Sequence, residues 1–127
     1  VVFGSTAGFS SSLALSSLDG THGFVIQGTD FGTGAAVAAA GDLNGDGVRD
    51  IILGSPRASP GGRLSAGRVY VIFGRPAETA FPAALSTTNL DGTNGFKLDG
   101  VSSYDAAGTR VSGPGDVNGD GVDDIMV

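Results

Sequence analysis

The segment Asp42-Leu43-Asn44-Gly45-Asp46-Gly47-Val48-Arg49-Asp50-Ile51-Ile52-Leu53-Gly54 sets a dense cluster of Asp, Asn and Gly against a short, wholly apolar run. It has a counterpart in Asp116-Val117-Asn118-Gly119-Asp120-Gly121-Val122-Asp123-Asp124-Ile125-Met126-Val127. Clustered Asn, Asp and Gly compete with helix and favour a turn. The apolar runs that follow have the length and composition of buried strands. Each copy therefore reads as a curled loop feeding a β-strand.

Outward from these loops the chain repeats itself. Phe9 to Gly28 aligns with Phe81 to Gly100, 72 positions on. Phe9/Phe81, Leu13/Leu85, Leu18/Leu90, Asp19/Asp91, Gly20/Gly92, Thr21/Thr93, Gly23/Gly95, Phe24/Phe96 and Gly28/Gly100 are identical pairs. The acidic loops lie 74 positions apart, and Phe3-Gly4 lies 70 before Phe73-Gly74. Length changes between fixed anchors belong in loops, and self-similarity of this kind marks a repeat architecture. Two units are expected: residues 1–74 with the loop 42–50, and residues 75–127 with the loop 116–124.

Each unit reads as several strands. Phe24-Val25-Ile26-Gln27 follows Gly20-Thr21-His22-Gly23, a turn suited to a tight hairpin. Val69 to Phe73 is a further apolar strand. Gly34 to Gly41 is rich in Ala, a helix former, but its counterpart Gly108 to Gly115 contains Pro114 and three glycines and opposes a helix. Both are read as strands with small side chains. Glycine, at 23 of 127 residues, follows no triplet period and punctuates the apolar runs instead. The fold class is all-β.

The net charge of −6 comes from 13 acids and 7 bases. Six of the acids belong to the loops (Asp42, Asp46, Asp50, Asp116, Asp120, Asp124) and Asp123 adjoins them, so the acidity is local. No basic stripe exists to neutralise phosphates, which argues against nucleic acid as a partner. No run approaches the roughly 20 apolar residues of a membrane-spanning helix. Cysteine is absent, so no disulfide contributes.

Three carboxylates, an amide oxygen and a backbone carbonyl within nine residues form a hard-oxygen donor set. Calcium takes six to eight oxygens at about 2.3–2.6 Å in a flexible shell. The expected ligands are Asp42, Asn44, Asp46, the Val48 carbonyl and Asp50. The second set is Asp116, Asn118, Asp120, the Val122 carbonyl and Asp124. Gly47 and Gly121 permit the sharp turn between the third side chain and the carbonyl. The EF-hand is excluded, because its bidentate Glu at position 12 is replaced here by Leu53 and Val127. Asp123 stands where the first loop has Arg49, and this charge difference assigns the tighter calcium affinity to the second loop.

Catalysis finds little support. His22, the single histidine, occupies the turn position held by Asn94 in the other unit. No Gly-x-Ser-x-Gly elbow or Ser/His/Asp set is present. Ser10-Ser11-Ser12 reads as a solvated loop. Phe9, Phe24, Phe81 and Phe96 recur with the unit and read as core.

Asp30-Phe31-Gly32-Thr33-Gly34, Gly41-Asp42 through Asp50-Ile51-Ile52-Leu53-Gly54-Ser55-Pro56, and Gly67-Arg68-Val69-Tyr70-Val71-Ile72-Phe73-Gly74 together resemble the FG-GAP repeat, the blade of integrin-α-type β-propellers. Ser55 departs mildly from the Gly-Ala-Pro of that family. Tyr104-Asp105-Ala106-Ala107-Gly108 departs further, where Phe-Gly is expected. The resemblance implies two blade units of an incomplete propeller, with each calcium loop in a hairpin, and rings of seven blades in the family at large. Val1-Val2-Phe3-Gly4 matches the end of a strand such as Val69 to Gly74, and the second unit stops short of that strand. An interior piece of a longer propeller, or a subunit completed by other copies through strand exchange into a ring or filament, is the expectation. A non-enzymatic, calcium-binding role in adhesion or scaffolding, extracellular or at the cell surface, follows from the resemblance. An accessory region of a larger hydrolase is the other expectation.

Overall fold

A computed structural model describes residues 1–127. The eight strands are β1 (Val25–Gln27), β2 (Ala36–Gly41), β3 (Asp50–Ser55), β4 (Arg68–Ile72), β5 (Ala84–Ser86), β6 (Gly95–Asp99), β7 (Ser112–Gly115) and β8 (Asp124–Met126). Three short 3-10 turns are the only helical elements. The chain is all-β, as its punctuated apolar runs require.

The apolar runs of β3 and β4 become the two central strands of an antiparallel sheet ordered β2-β3-β4-β6. Ile52 faces Val71 across the first pair of central strands, and Val71 faces Phe96 in the next. β2 is a strand despite its alanines, pairing Ala38 with Ile52 and Ala39 with Ile51. Its small side chains suit a strand with another sheet close by, and β2 packs against β7. The sheet takes three strands from residues 1–74 and one from residues 75–127. The sequence period thus runs out of phase with the sheet.

Successive residues of a strand point to opposite faces, and both faces here are covered. Leu53, Tyr70 and Ile72 join Phe24 and Leu85 on one side, with Phe3, Ile26, Ile51, Phe81 and Leu90 at the margin. Ile52, Val69 and Val71 join Ala40 on the other, with Phe73, Phe96, Val111 and Ile125 packed against them. The four-stranded sheet is therefore sandwiched between two smaller assemblies. One is the antiparallel pair β7–β8. The other is β1, which pairs in parallel with β5, together with the residues just before it, His22–Phe24, which pair antiparallel with Val1–Phe3. This arrangement is that of a propeller segment with one full blade and parts of its two neighbours.

Two expectations are corrected. The turn Gly20–Gly23 closes, with Gly20 N donating to Gly23 O at 2.8 Å, but it joins no hairpin. The residues before it, Leu15–Ser17, form a 3-10 turn, so Phe24 pairs with Val1 instead: Phe24 N donates to Val1 O at 3.0 Å. Phe9 is not core but 64% exposed. Its counterpart Phe81 stacks on Phe24 with ring centroids 4.2 Å apart, a contact between consecutive units.

Candidate metal centre

The first acidic loop connects β2 to β3, and the second connects β7 to β8. Each is therefore held at both ends by a paired strand. Gly45 and Gly47 take left-handed φ values of 74° and 84°, as do Gly119 and Gly121 at 77° and 91°. That region is costly for residues with a Cβ, which explains the glycines in the motif.

Within the first loop Asp42 Oδ1 accepts from Gly45 N at 2.8 Å and Asp46 N at 3.1 Å, while Oδ2 accepts from Gly47 N at 2.8 Å. Asn44 Oδ1 accepts from Asp46 N at 3.1 Å, and Asp46 Oδ1 from Val48 N at 2.8 Å. Asp50 Oδ2 accepts from Leu43 N at 2.8 Å, closing the curl from its far end. The second loop repeats this pattern. Asp116 accepts from Gly119, Asp120 and Gly121, Asn118 from Asp120, Asp120 from Val122, and Asp124 from Val117. All ten expected residues thus lie in two superposable curls.

The side chains do not already gather three acidic or imidazole groups about one point. They are held by backbone N–H groups, and a carboxylate oxygen has capacity beyond one such bond. The donors are all hard oxygens, with no sulfur or imidazole among them, which suits calcium rather than zinc. Charge points the same way. Asp50 is 1% exposed, and burial pushes its carboxyl above the ordinary range, with the charges of Asp46 and Asp42 adding to the effect against N–H donation from Gly74 and Leu43. A divalent cation would offset that like-charge repulsion. Asp116, in the exposed second loop, is held below the ordinary range by N–H donation, first from Gly121.

Gly74 N donates to Asp50 Oδ1 at 2.7 Å, tying the first loop to the end of β4. Asp123 also leaves its own loop: Asp42 N donates to its Oδ2 at 2.9 Å, and its own N donates to Asp42 O at 3.1 Å. The charge assigned above to the second loop is therefore shared with the entrance of the first. Sequence reasoning missed this clasp, and its one trace is Gly41. There φ is 80°, and an added Cβ would stand 2.3 Å from Asp123 Oδ2.

The other residues considered for chemistry have structural places. His22 sits exposed in its turn, with Asp19 Oδ1 accepting from Thr21 N and His22 N, as Asp91 Oδ1 accepts from Thr93 N and Asn94 N. Ser10–Ser12 are exposed loop residues. A polar cluster joins buried Tyr70 to Asp30, and Arg68 to both Asp30 and Asp99.

The loop between two paired strands, the apolar β3 and the Arg68–Ile72 strand coincide with one known pattern: the FG-GAP repeat matches residues 33–72. The chain carries an FG-GAP repeat. The likeness extends beyond that match. Integrin alpha pat-2 of Caenorhabditis elegans is 40% identical over 94 residues, 74% of this chain and 7% of that protein. Integrin alpha-3 of Cricetulus griseus is 37% identical over 105 residues, 81% of this chain and 9% of that protein. Phosphatidylinositol-glycan-specific phospholipase D of Rattus norvegicus is 50% identical over 38 residues, 30% of this chain and 4% of that protein. The FG-GAP chain thus spans less than a tenth of the length of these relatives.

Proposed function

We propose that each acidic loop holds one calcium ion, and that the chain serves as a calcium-stabilised, non-catalytic propeller segment in an adhesion or scaffolding protein outside the cell or at its surface. The observation that carries this reading is that the hydrogen bonds within the first loop recur in the second, at the same place in two sheets. A turn needs neither three carboxylates nor a buried Asp50 among them. Bound calcium supplies positive charge at the crowded carboxylates and a rigid link between the strands of each hairpin.

In the first loop Asp42, Asn44, Asp46, the Val48 carbonyl and Asp50 hold the ion, and the N–H bonds of Gly45, Gly47 and Leu43 orient the carboxylates. Asp116, Asn118, Asp120, the Val122 carbonyl and Asp124 do the same in the second. The likeness to integrin alpha chains over three quarters of the sequence supports the adhesion reading. A second reading, as accessory repeats beside a hydrolase domain, draws on the 38-residue likeness to the phospholipase.

Thermal unfolding tests the role of calcium. An ion that binds only the folded state adds about 2.7 kcal/mol at a hundredfold excess over Kd. The melting temperature is expected to fall on transfer from millimolar calcium to chelator. An unchanged melting temperature rejects calcium stabilisation.

A further inference from the structure

Four asparagines occur in the chain, and three of them, Asn44, Asn94 and Asn118, precede a glycine. Glycine carries no Cβ to shield its nitrogen or restrict its backbone, so in Asn-Gly the second residue's N reaches the first residue's side-chain amide carbon most readily. Attack forms an N–Cγ bond and breaks the Cγ–Nδ2 bond. Ammonia leaves with the glycine N–H proton, and a five-membered succinimide remains. Water then opens the ring. Addition at Cγ leaves an aspartate, while addition at the backbone carbonyl leaves an isoaspartate, whose main chain is one methylene longer.

The three sites are held in different ways. Asn94 ends a turn, and Gly95 opens β6. Phe73 N donates to Asn94 O at 3.1 Å, and the Val71 carbonyl stands 2.2 Å from where a Cβ on Gly95 would lie. That nitrogen is fixed in the four-stranded sheet. In the first acidic loop the constraints are local instead. Asn44 Nδ2 donates to Asp46 Oδ2 at 2.9 Å, and Asn44 Oδ1 accepts from Asp46 N at 3.1 Å. The amide is thereby pinned toward residue 46, one residue beyond its nucleophile. Gly45 N donates to Asp42 Oδ1 at 2.8 Å. Loss of that proton would put negative charge on nitrogen beside the Asp42 carboxylate, which like-charge repulsion opposes. No atom lies within 4 Å of a Cβ placed on Gly45, so the loop's own bonds are what keep nucleophile and amide apart. Asn118 and Gly119 repeat these bonds with Asp120 and Asp116.

We propose that Asn44 and Asn118 are sites of spontaneous conversion to aspartate and isoaspartate, gated by local opening of their loops, and that Asn94 is shielded by its strand. A loop opens when a few side-chain bonds break, whereas Asn94 waits for the sheet to part. Isoaspartate at position 44 moves Asp46 and Gly47 one methylene further from Asp42, whose carboxylate collects the N–H groups of Gly45, Asp46 and Gly47. The curl is then lost irreversibly, and the donor set with it. One consequence rests on the calcium reading above. An ion that binds only the closed loop lowers the open fraction, slowing conversion about a hundredfold at a hundredfold excess over Kd. A loop left without calcium therefore loses its site with age.

The full chain is incubated at mildly alkaline pH in calcium, in chelator, and in chelator with guanidinium. Peptide mass mapping follows each asparagine by the mass gained when an amide becomes an acid. In guanidinium the three Asn-Gly sites are expected to convert at similar rates, and Asn89, which precedes Leu90, far more slowly. In chelator alone all three slow, Asn44 and Asn118 less than Asn94. Asp42→Ala is expected to bring Asn44 toward its guanidinium rate while Asn94 keeps its own. If that variant unfolds, Asn94 rises with it, and Asp46→Ala, which frees the Asn44 amide, takes its place. Asn44 converting as fast in the folded parent as in guanidinium, Asn94 converting ahead of it, or no rise in either variant overturns the proposal. Conversion slowed by the fold in chelator, but no further by calcium, contradicts the calcium reading and supports the loop gate.

Discussion

Asp123 and Asp42 hold each other through two hydrogen bonds, one from Asp42 N to the Asp123 carboxylate and one from Asp123 N to the Asp42 carbonyl. The two acidic loops are thereby fastened together, position eight of the second to position one of the first. Asp123→Ala removes the acceptor and is expected to cost about 1–2 kcal/mol, read as a lower urea midpoint. Asp123→Asn keeps an acceptor and removes the charge. Its stability is expected near that of the parent, while calcium affinity at the first loop falls at low salt.

Phe24→Ala is expected to cost about 3–5 kcal/mol, because the ring is wholly buried and stacked on Phe81. Phe9→Ala is expected to stay within about 0.5 kcal/mol for the monomeric fold, although the two phenylalanines look alike in sequence. Denaturant unfolding of the pair measures the contrast, and equal costs would contradict the placement of Phe9.

Ala106 takes a φ of 53°, where the first unit has Gly32 at 82°. This is the point at which the second unit departs from the Phe-Gly of the repeat. Ala106→Gly relieves a left-handed conformation that costs an L-residue about 1–2 kcal/mol, offset in part by the entropy of glycine. A gain of up to about 1 kcal/mol is expected by urea unfolding, and a loss would mean that the strain is absent.

Arg68 holds the Asp99 carboxyl below its ordinary range, chiefly through hydrogen bonding. A value lowered in the folded state stabilises above the unfolded pKa of about 3.9 and loses that effect as pH falls through the folded value. Asp99→Asn is therefore expected to be less stable than the parent at pH 5–8, with the gap closing below about pH 4. Asp99 is partly exposed, so the gap is expected to stay under about 1 kcal/mol. Urea midpoints across this pH range check it.

The all-β class, the repeat and the strand character of the alanine-rich β2 were legible because local composition and comparison between units agreed. The acidic loops were legible for the same reason: their donors lie within nine residues, and their internal bonds are local. What escaped the sequence depends on contacts between units. The hairpin expected at Gly20–Gly23 failed because the partner of Phe24 is Val1, far away in sequence. Phe9 was misjudged because a core position in a repeat is filled by the neighbouring unit rather than by its own. The Asp123 clasp was invisible because it joins residues 81 positions apart.

Calcium stoichiometry by isothermal titration of the parent chain, Asp46→Ala and Asp120→Ala is the most direct test of the loops as metal sites. Two ions are expected for the parent, one for each single variant and none for the double. Absence of binding by the parent at millimolar calcium, or two ions retained by both single variants, would contradict the calcium-loop reading.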